Sequence, residues 1–101
     1  MKNLEEKYYE VQNTRVIKAR FFSSSNGSAK VKITDNYLKE RKQTVTLSYD
    51  YEVGNVAQQA FKFLVERGFN VVARASNDTG YLFMVDNWNE DYLTLKGEKY
   101  V

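Results

Sequence analysis

The sequence contains no cysteine, no histidine and no proline. Without cysteine there is no disulfide framework and no thiol redox chemistry, which agrees with a reducing compartment. Without cysteine and histidine, the familiar nucleophile and base pairs and the thiolate or imidazole metal sites cannot be assembled. Catalysis by Asp, Glu, Lys or Tyr stays open, but no pattern points to a substrate. We therefore expect a protein that is not an enzyme, with no catalytic residues, no metal and no cofactor.

Long apolar runs are also missing. The longest uninterrupted run, YLFMV at residues 81–85, is far shorter than the roughly 20 residues that a membrane helix needs. The segment MKNLEEKYYE mixes charges with no apolar block after it, which predicts no secretory signal, no transit peptide and a cytoplasmic location. Neither repeats nor linkers divide the chain, so residues 1–101 are expected to form one domain with one modest core.

Charge is unevenly distributed along the chain. The formal net charge of +2 is too small to mark a general nucleic-acid-binding protein. Residues 1–50 hold ten Lys and Arg against six Asp and Glu, whereas residues 51–101 hold five against seven. Charged residues are mostly exposed to solvent, so this asymmetry can arise without any function. It indicates a binding surface only if the cations lie close together in the fold.

Alternation of apolar and polar residues predicts three antiparallel strands in the first half of the chain. VIKARFF, AKVKIT and QTVTLSY place apolar side chains at every second position, which is the pattern of a strand with one buried face. The apolar positions are Ile17, Ala19 and Phe21; Val31 and Ile33; and Val45, Leu47 and Tyr49.

The turn between the first two strands sets their register. A two-residue turn at residues 26–27 would mix charged and apolar side chains on one face. A three-residue loop at residues 25–27, with Gly27 at positive φ, makes the apolar faces coincide. The predicted pairs are Phe21 with Val31 and Ala19 with Ile33.

The same register predicts a basic face. It sets Arg20 opposite Lys32 and brings Lys18 and Lys30 to the same surface. Like charges that face each other cost only about 0.2–1 kcal/mol in exposed positions, so a solvated face that also discourages edge pairing would explain them. The alternative is an acidic partner that neutralises the cluster, either phosphates or a carboxylate-rich protein surface. These four residues are the candidate binding site.

One amphipathic helix is predicted in DYEVGNVAQQAFKFLVERG. Asp50 is the expected N-terminal cap and Gly68 the expected left-handed C-terminal cap, so the helix should span residues 51–67. Val56 and Phe63 are expected to add packing against the sheet rather than to form a ligand site. The apolar stripe consists of Val53, Ala57, Ala60, Phe61 and Leu64, and the polar side of Asn55, Gln58, Gln59, Lys62 and Glu66.

A second hairpin is predicted in FNVVARA and YLFMVD, on either side of SNDTG. Pairing Ala75 with Tyr81 would bring five apolar residues to the helix side: Phe69, Val71, Ala73, Phe83 and Val85. The opposite face is then also apolar and needs a cover, either a second copy of the protein or the tail with Trp88, Tyr92, Leu93 and Leu95. In the first case the candidate self-association residues are Val72, Leu82 and Met84.

The acidic string VDNWNED at residues 85–91 slightly resembles a calcium-binding loop. Trp88 stands at a position where calcium needs an oxygen ligand, and the required glycine is missing. A polar loop after a strand is the preferred interpretation.

A resemblance covers residues 15–87. KARFFSSSNGSAKVKITD, followed by VTLSYDY and then by GFNVV and GYLFMVDN, resembles a group of small uncharacterised proteins encoded by bacteriophages and related mobile elements. The connection NYLKERKQ is longer here than in that group. The resemblance implies a phage-type role and brings with it no activity and no site residues.

The predicted fold is α+β, with an antiparallel β-sheet in the order βββαββ and one amphipathic helix packed on one face. The predicted function is that of a small non-enzymatic accessory protein that binds a host protein or another acidic macromolecule, for example to inhibit a defence or replication factor. Two alternatives stay open: a nucleic-acid-binding module that uses the basic face, and a structural or assembly component of a virion. A homodimer is compatible with each of them, and no membrane partner is expected.

Overall fold

The computed structural model describes residues 3–23, 27–36, 42–50, 52, 55–78, 80–88, 90 and 93–96. In these ranges the chain forms an α+β fold with a five-stranded antiparallel sheet and two helices. Neither of these helices is long and apolar enough to cross a bilayer. In chain order the elements are α1 (Leu4–Glu10), β1 (Arg15–Ser23), β2 (Ala29–Asp35), β3 (Gln43–Ser48), α2 (Val56–Glu66), β4 (Val71–Asn77) and β5 (Gly80–Val85).

The helix α1 is absent from the predicted order βββαββ, so the prediction of a single helix is wrong. Asn3 caps α1 by accepting a hydrogen bond from the backbone N–H of Glu6 at 2.8 Å. Glu5 and Glu6 lie in the first turn, where acidic side chains favour a helix N-terminus. None of the residues of α1 is buried. A short helix held by its cap and its charges has no buried stripe, so apolar periodicity does not reveal it.

The sheet has the order β3-β2-β1-β5-β4, with β1 at its centre. The first hairpin has the predicted register, because Phe21 pairs with Val31 and Ala19 pairs with Ile33. Gly27 has φ +85°, as the three-residue loop requires. The other loop residues, 25 and 26, lie outside the described residues. The second hairpin then pairs β5 with the free side of β1.

The predicted register of the second hairpin is wrong by one residue near its turn. Tyr81 pairs with Ser76 rather than with Ala75, because Asn77 and Gly80 close a tighter turn than the prediction assumed. A bulge between Val71 and Ala73 then restores the predicted pairing of Val71 with Val85. Between the turn and the bulge the faces are exchanged: Arg74 lies opposite Phe83 on the helix side, and Ala73 lies opposite Met84 on the other side.

The helix α2 begins later than predicted, with Asn55 as its cap instead of Asp50. Asn55 Oδ1 accepts a hydrogen bond from the N–H of Gln58 at 2.9 Å, and Gln58 Oε1 accepts one from the N–H of Asn55 at 3.2 Å, which is a capping box. Asp50 instead accepts a hydrogen bond from the N–H of Glu52 and donates its own N–H to Gln59. The predicted helical residues 51, 53 and 54 lie outside the described residues.

The end of α2 confirms the predicted cap at Gly68, which has φ +99°. The N–H of Gly68 donates to the carbonyl of Val65, and the N–H of Phe69 donates to the carbonyl of Leu64, both at 3.0 Å. This is the hydrogen-bond pattern of a Schellman motif. Phe69 and Leu64 are both buried, so the motif turns the chain from the helix directly into the core.

The core lies between α2 and one face of the sheet. Val56 and Phe63 pack there as predicted, whereas Phe61 is 45% exposed although its spacing predicted burial. Gln59, expected on the polar side, is buried and donates to the carbonyl of Ser48 at 2.8 Å. The residues that form the centre of the core include Ile17, Val31, Ile33, Ala60, Leu64, Phe83, Val85 and Leu95.

The two described leucines of the tail pack on the helix side of the sheet and not on the opposite face. Leu95 is fully buried in the core on the helix side, and Leu93 packs against the same core. Trp88 is exposed, and residue 92 lies outside the described residues. Of the two alternatives for covering the second apolar face, the one that uses the tail therefore fails for Leu93 and Leu95.

A candidate binding face on the sheet

The sheet face opposite α2 is here called the open face. Its residues follow from the strand registers, because side chains that neighbour the buried ones in sequence project to the other side. Ile17, Ala19, Val31 and Ile33 belong to the core, so the residues between and beside them face outward. The open face consists of Val16, Lys18, Arg20 and Phe22 from β1; Lys30, Lys32 and Thr34 from β2; Thr44, Thr46 and Ser48 from β3; Leu82 and Met84 from β5; and Ala73, Ala75 and Asn77 from β4.

The structure brings the four predicted cations together on the adjacent strands β1 and β2 of the open face. Arg20 lies opposite Lys32 across the β1–β2 ladder, and Lys18 and Lys30 flank this pair. Lys30 Nζ donates a hydrogen bond to Ser48 Oγ at 3.3 Å, and the guanidinium of Arg20 lies 5.9 Å from the ring centre of Phe22. Among the strand residues of this face that the structure describes, there are four cations and no carboxylate. The face therefore carries an unbalanced positive charge.

A shallow pocket of about 300 Å³ opens on the open face, where residues of β1, β2 and β5 and the end of β4 meet. Its lining contributes hydrogen-bond donors from β1, from β2 and from Asn77 at the end of β4, together with the apolar side chains of Ala19 and Leu82. The charged side chains in the lining, Lys18, Arg20 and Lys32, are all cationic. The pocket therefore favours an anionic group such as a carboxylate or a phosphate. The residues that matter for this chemistry are Lys18, Arg20, Lys32, Thr34, Asn77 and Leu82.

Gly80 allows β5 to approach β1 at the border of this pocket. A Cβ atom on Gly80 would lie 2.4 Å from the carbonyl oxygen of Ala19 and 3.1 Å from Cβ of Arg20. Its φ of +153° is also one that side chains rarely adopt. The position needs glycine for both reasons, and it fixes how closely the second hairpin lies beside Arg20.

A partly exposed apolar strip lies beside the cations. Leu82 is the partner of Lys18, and Met84 is the partner of the exposed Val16. Val72, predicted to project beside Leu82 and Met84, lies in the bulge of β4 and has no partner in the β4–β5 register. Ala73 and Ala75 take the positions opposite Met84 and Leu82 instead. The open face thus combines a basic half with an apolar half.

A buried ion pair holds the C-terminal segment at one end of the sheet. Arg15 bonds to the carboxylate of Asp35 through Nε, at 3.1 Å, and also through Nη2. The same guanidinium donates to the carbonyl of Leu93 at 2.8 Å and to the carbonyl of Glu90 at 3.3 Å. It also lies 5.1 Å from the ring centre of Phe69. Strand alternation alone does not reveal this ion pair, because Arg15, Asp35 and the two carbonyls come from segments that are far apart in the sequence.

The described polar side chains of the acidic string at residues 85–91 form hydrogen bonds within the fold. Asn87 accepts a hydrogen bond from the N–H of Asn70 at 2.8 Å and donates one to Glu90. Asp86 accepts a hydrogen bond from the side chain of Asn70 at 2.6 Å. Within the described ranges, no group of three or more acidic residues is arranged to hold a metal ion. These contacts favour the interpretation of a polar loop over that of a calcium site.

Comparisons with protein-family models, with curated proteins and with solved structures give no match for this chain.

Proposed function

We propose that this chain is a non-enzymatic binding protein that docks an acidic surface of another protein on its open face. The observation that carries this proposal is the unbalanced charge of that face, with four cations and no carboxylate among its described strand residues. Charge of one sign on a docking face raises the association rate and excludes partners of the same sign.

The apolar half of the open face supports a protein partner in particular. Leu82, Met84 and Val16 lie next to the cations and would be withdrawn from water when a partner binds. Protein interfaces usually combine an apolar centre with charged residues at the rim. The pocket between Lys18 and Lys32 would receive a carboxylate of the partner. The phosphates of a nucleic acid would pair with the cations, but its backbone offers no apolar surface to cover the apolar residues.

The partner that we propose is a host protein in the bacterial cytoplasm, bound so as to inhibit a defence or replication factor. The resemblance to small bacteriophage proteins supports this choice, since a small protein can act as a stoichiometric inhibitor without chemistry of its own. The open face supplies the contact surface that such an inhibitor needs.

Affinity capture from a bacterial lysate tests this proposal. The bait proteins are the parent chain, the double variant Arg20→Gln/Lys32→Gln and the matched control Lys62→Gln/Arg67→Gln, which loses the same charge at the C-terminal part of α2. The parent and the control should retain the same host protein, and the open-face variant should lose it. Equal retention by all three proteins would show that the open face is not the docking surface.

A nucleic-acid-binding module is the second candidate, and the same cluster of cations favours it. The described strand residues of the open face include one aromatic side chain, Phe22, which lies beneath Arg20. Binding of single strands normally uses several exposed aromatic rings for base stacking, so this candidate ranks lower. Treatment of the lysate with nuclease separates the two: capture that survives nuclease supports a protein partner, and capture that is lost supports a nucleic acid.

A further inference from the structure

The outer edge of β4 and the groove beside it form a second surface, separate from the open face. β4 is the last strand in the sheet order, so one side of its backbone pairs with β5 and no described strand pairs with the other side. Every residue from Val72 to Asn77 is exposed. The outer side of such a strand presents backbone N–H and C=O groups to which an extended chain can add as a further strand.

A groove between α2 and β4 runs along this edge. It consists of two adjoining depressions of about 260 and 270 Å³, and Ala57, Phe83 and Arg74 line both of them. Ala57 and Phe83 are buried core residues, so the floor of the groove is apolar. Phe61, which is 45% exposed, borders it on the helix. The groove therefore offers an apolar pocket to side chains of a strand added to β4.

Arg74 gives this groove a charge preference. The one-residue change of register near the turn places its side chain on the helix side, opposite Phe83, rather than on the open face. Within the described part of the chain, no carboxylate forms an ion pair with its guanidinium. An exposed guanidinium over an apolar floor fits a ligand that carries a carboxylate close to an apolar group.

We propose that this edge binds an extended acidic peptide segment of a partner protein by strand addition to β4. An acidic side chain of the segment pairs with Arg74, and an apolar side chain two positions away lies on the groove floor between Phe61 and Phe83. The spacing of two follows from strand geometry, because every second side chain of the added strand points to the helix side. The other side chains of the segment point away from α2 and are less constrained.

A second copy of this chain fits the edge less well. Two β4 strands paired antiparallel about Arg74 would place this arginine opposite its own copy, and like charges directly opposite are destabilising. The bulge between Val71 and Ala73 also interrupts the regular edge at one end. Charge complementarity thus favours a foreign acidic segment.

Selection from a displayed library of random short peptides tests the proposal. Peptides retained by the parent protein should share an acidic residue two positions from an apolar residue, and a synthetic peptide with that motif is the probe for affinity measurements. Arg74→Gln should weaken its binding at least about tenfold, since hydrogen bonds to a charged group are among the stronger ones. Arg67→Gln is the matched control, because this arginine at the end of α2 lines neither depression, and it should leave the affinity unchanged. The peptide assay uses neither a lysate nor an open-face variant, so its failure is distinguishable from failure of the proposed function.

Amide hydrogen exchange of the parent with and without the peptide supplies the second measurement. Strand addition should newly protect alternate amides of β4, those that point outward, because the inward ones already pair with β5. Selection of no common motif, equal binding to the Arg74→Gln variant, or protection outside β4 would each overturn the proposal. A further outcome would also overturn the proposal: no peptide is selected, and the Arg74→Gln variant associates with itself. The role of Arg74 and of the bulge would then be to keep the β4 edges of two copies from pairing, and not to bind a peptide.

Discussion

Arg15 and Asp35 form an ion pair inside the protein, where the ends of β1 and β2 meet the C-terminal segment. Both side chains are about 95% withdrawn from solvent, with residual exposures of 4% and 5%. The pair also organises its surroundings, because the guanidinium bonds to the carbonyls of Glu90 and Leu93. The position of the last described residues thus depends on a charge supplied by the first strand.

Removal of one member of this pair should be strongly destabilising. Asp35→Ala leaves the guanidinium of Arg15 buried without its counter-ion, and such a change costs about 3–5 kcal/mol of unfolding free energy. Glu66→Ala is the control, because its contact with Lys62 at 4.0 Å is exposed and exposed pairs contribute at most about 1 kcal/mol. Urea unfolding followed by circular dichroism measures both. A loss no larger for Asp35→Ala than for Glu66→Ala would contradict a structural role for the pair.

The two glycines of the hairpins should differ in their tolerance of a side chain. Gly27 has φ +85° and open space around its missing Cβ, so Gly27→Val should lose about 1 kcal/mol or more from backbone strain alone, and Gly27→Asn should lose less. Gly80→Ala should lose more than Gly27→Ala, because its Cβ also meets the carbonyl oxygen of Ala19. Thermal unfolding of the four variants tests the order. Equal melting temperatures for all of them and the parent would refute it.

Neutralising the facing cations should not harm the fold. Arg20→Gln/Lys32→Gln removes two like charges that lie opposite each other, so the unfolding free energy should stay unchanged or rise slightly, by up to about 1 kcal/mol. If the open face contacts phosphates, the same variant should lower the salt slope of duplex-DNA binding by close to two, about 0.9 for each lost contact. A marked loss of stability would mean that these cations hold the sheet together rather than serve a partner.

Self-association through the open face should depend on salt. Two copies that met through Leu82 and Met84 would also bring their cations close together, and this repulsion is screened at high ionic strength. We expect monomers at low salt in analytical ultracentrifugation. A dimer that forms at high salt should be lost in Leu82→Lys. A dimer that is stable at low salt, or that survives this substitution, would place the interface elsewhere.

Folding should not require a metal ion. The core is continuous between α2 and the sheet. Among the described residues of the string at 85–91, Asn87 bonds to Glu90, and Asp86 and Asn87 both bond to Asn70. Thermal unfolding with and without a strong chelator should therefore coincide. A large drop in melting temperature on chelation would point to a metal site.

The sequence alone determined the features that depend on local patterns. Alternation in β1, β2 and β3 and the position of Gly27 set the first register, and with it the basic face of Lys18, Arg20, Lys30 and Lys32. The C-terminal end of α2 followed from Gly68 in the same way. These predictions succeeded because side-chain period and positive φ are properties of a few neighbouring residues.

Only the tertiary structure decided the features that depend on contacts between residues far apart in the sequence. The turn of the second hairpin shifts the register by one residue, and the bulge in β4 shifts it back. Alternation in the sequence therefore predicted neither the pairing of Arg74 with Phe83 nor the lack of a partner for Val72. Burial of Leu95 on the helix side and the pairing of Arg15 with Asp35 depend on contacts between the two ends of the chain. Periodicity carries no information about which segment covers which face, because that choice follows from the shape of the whole core.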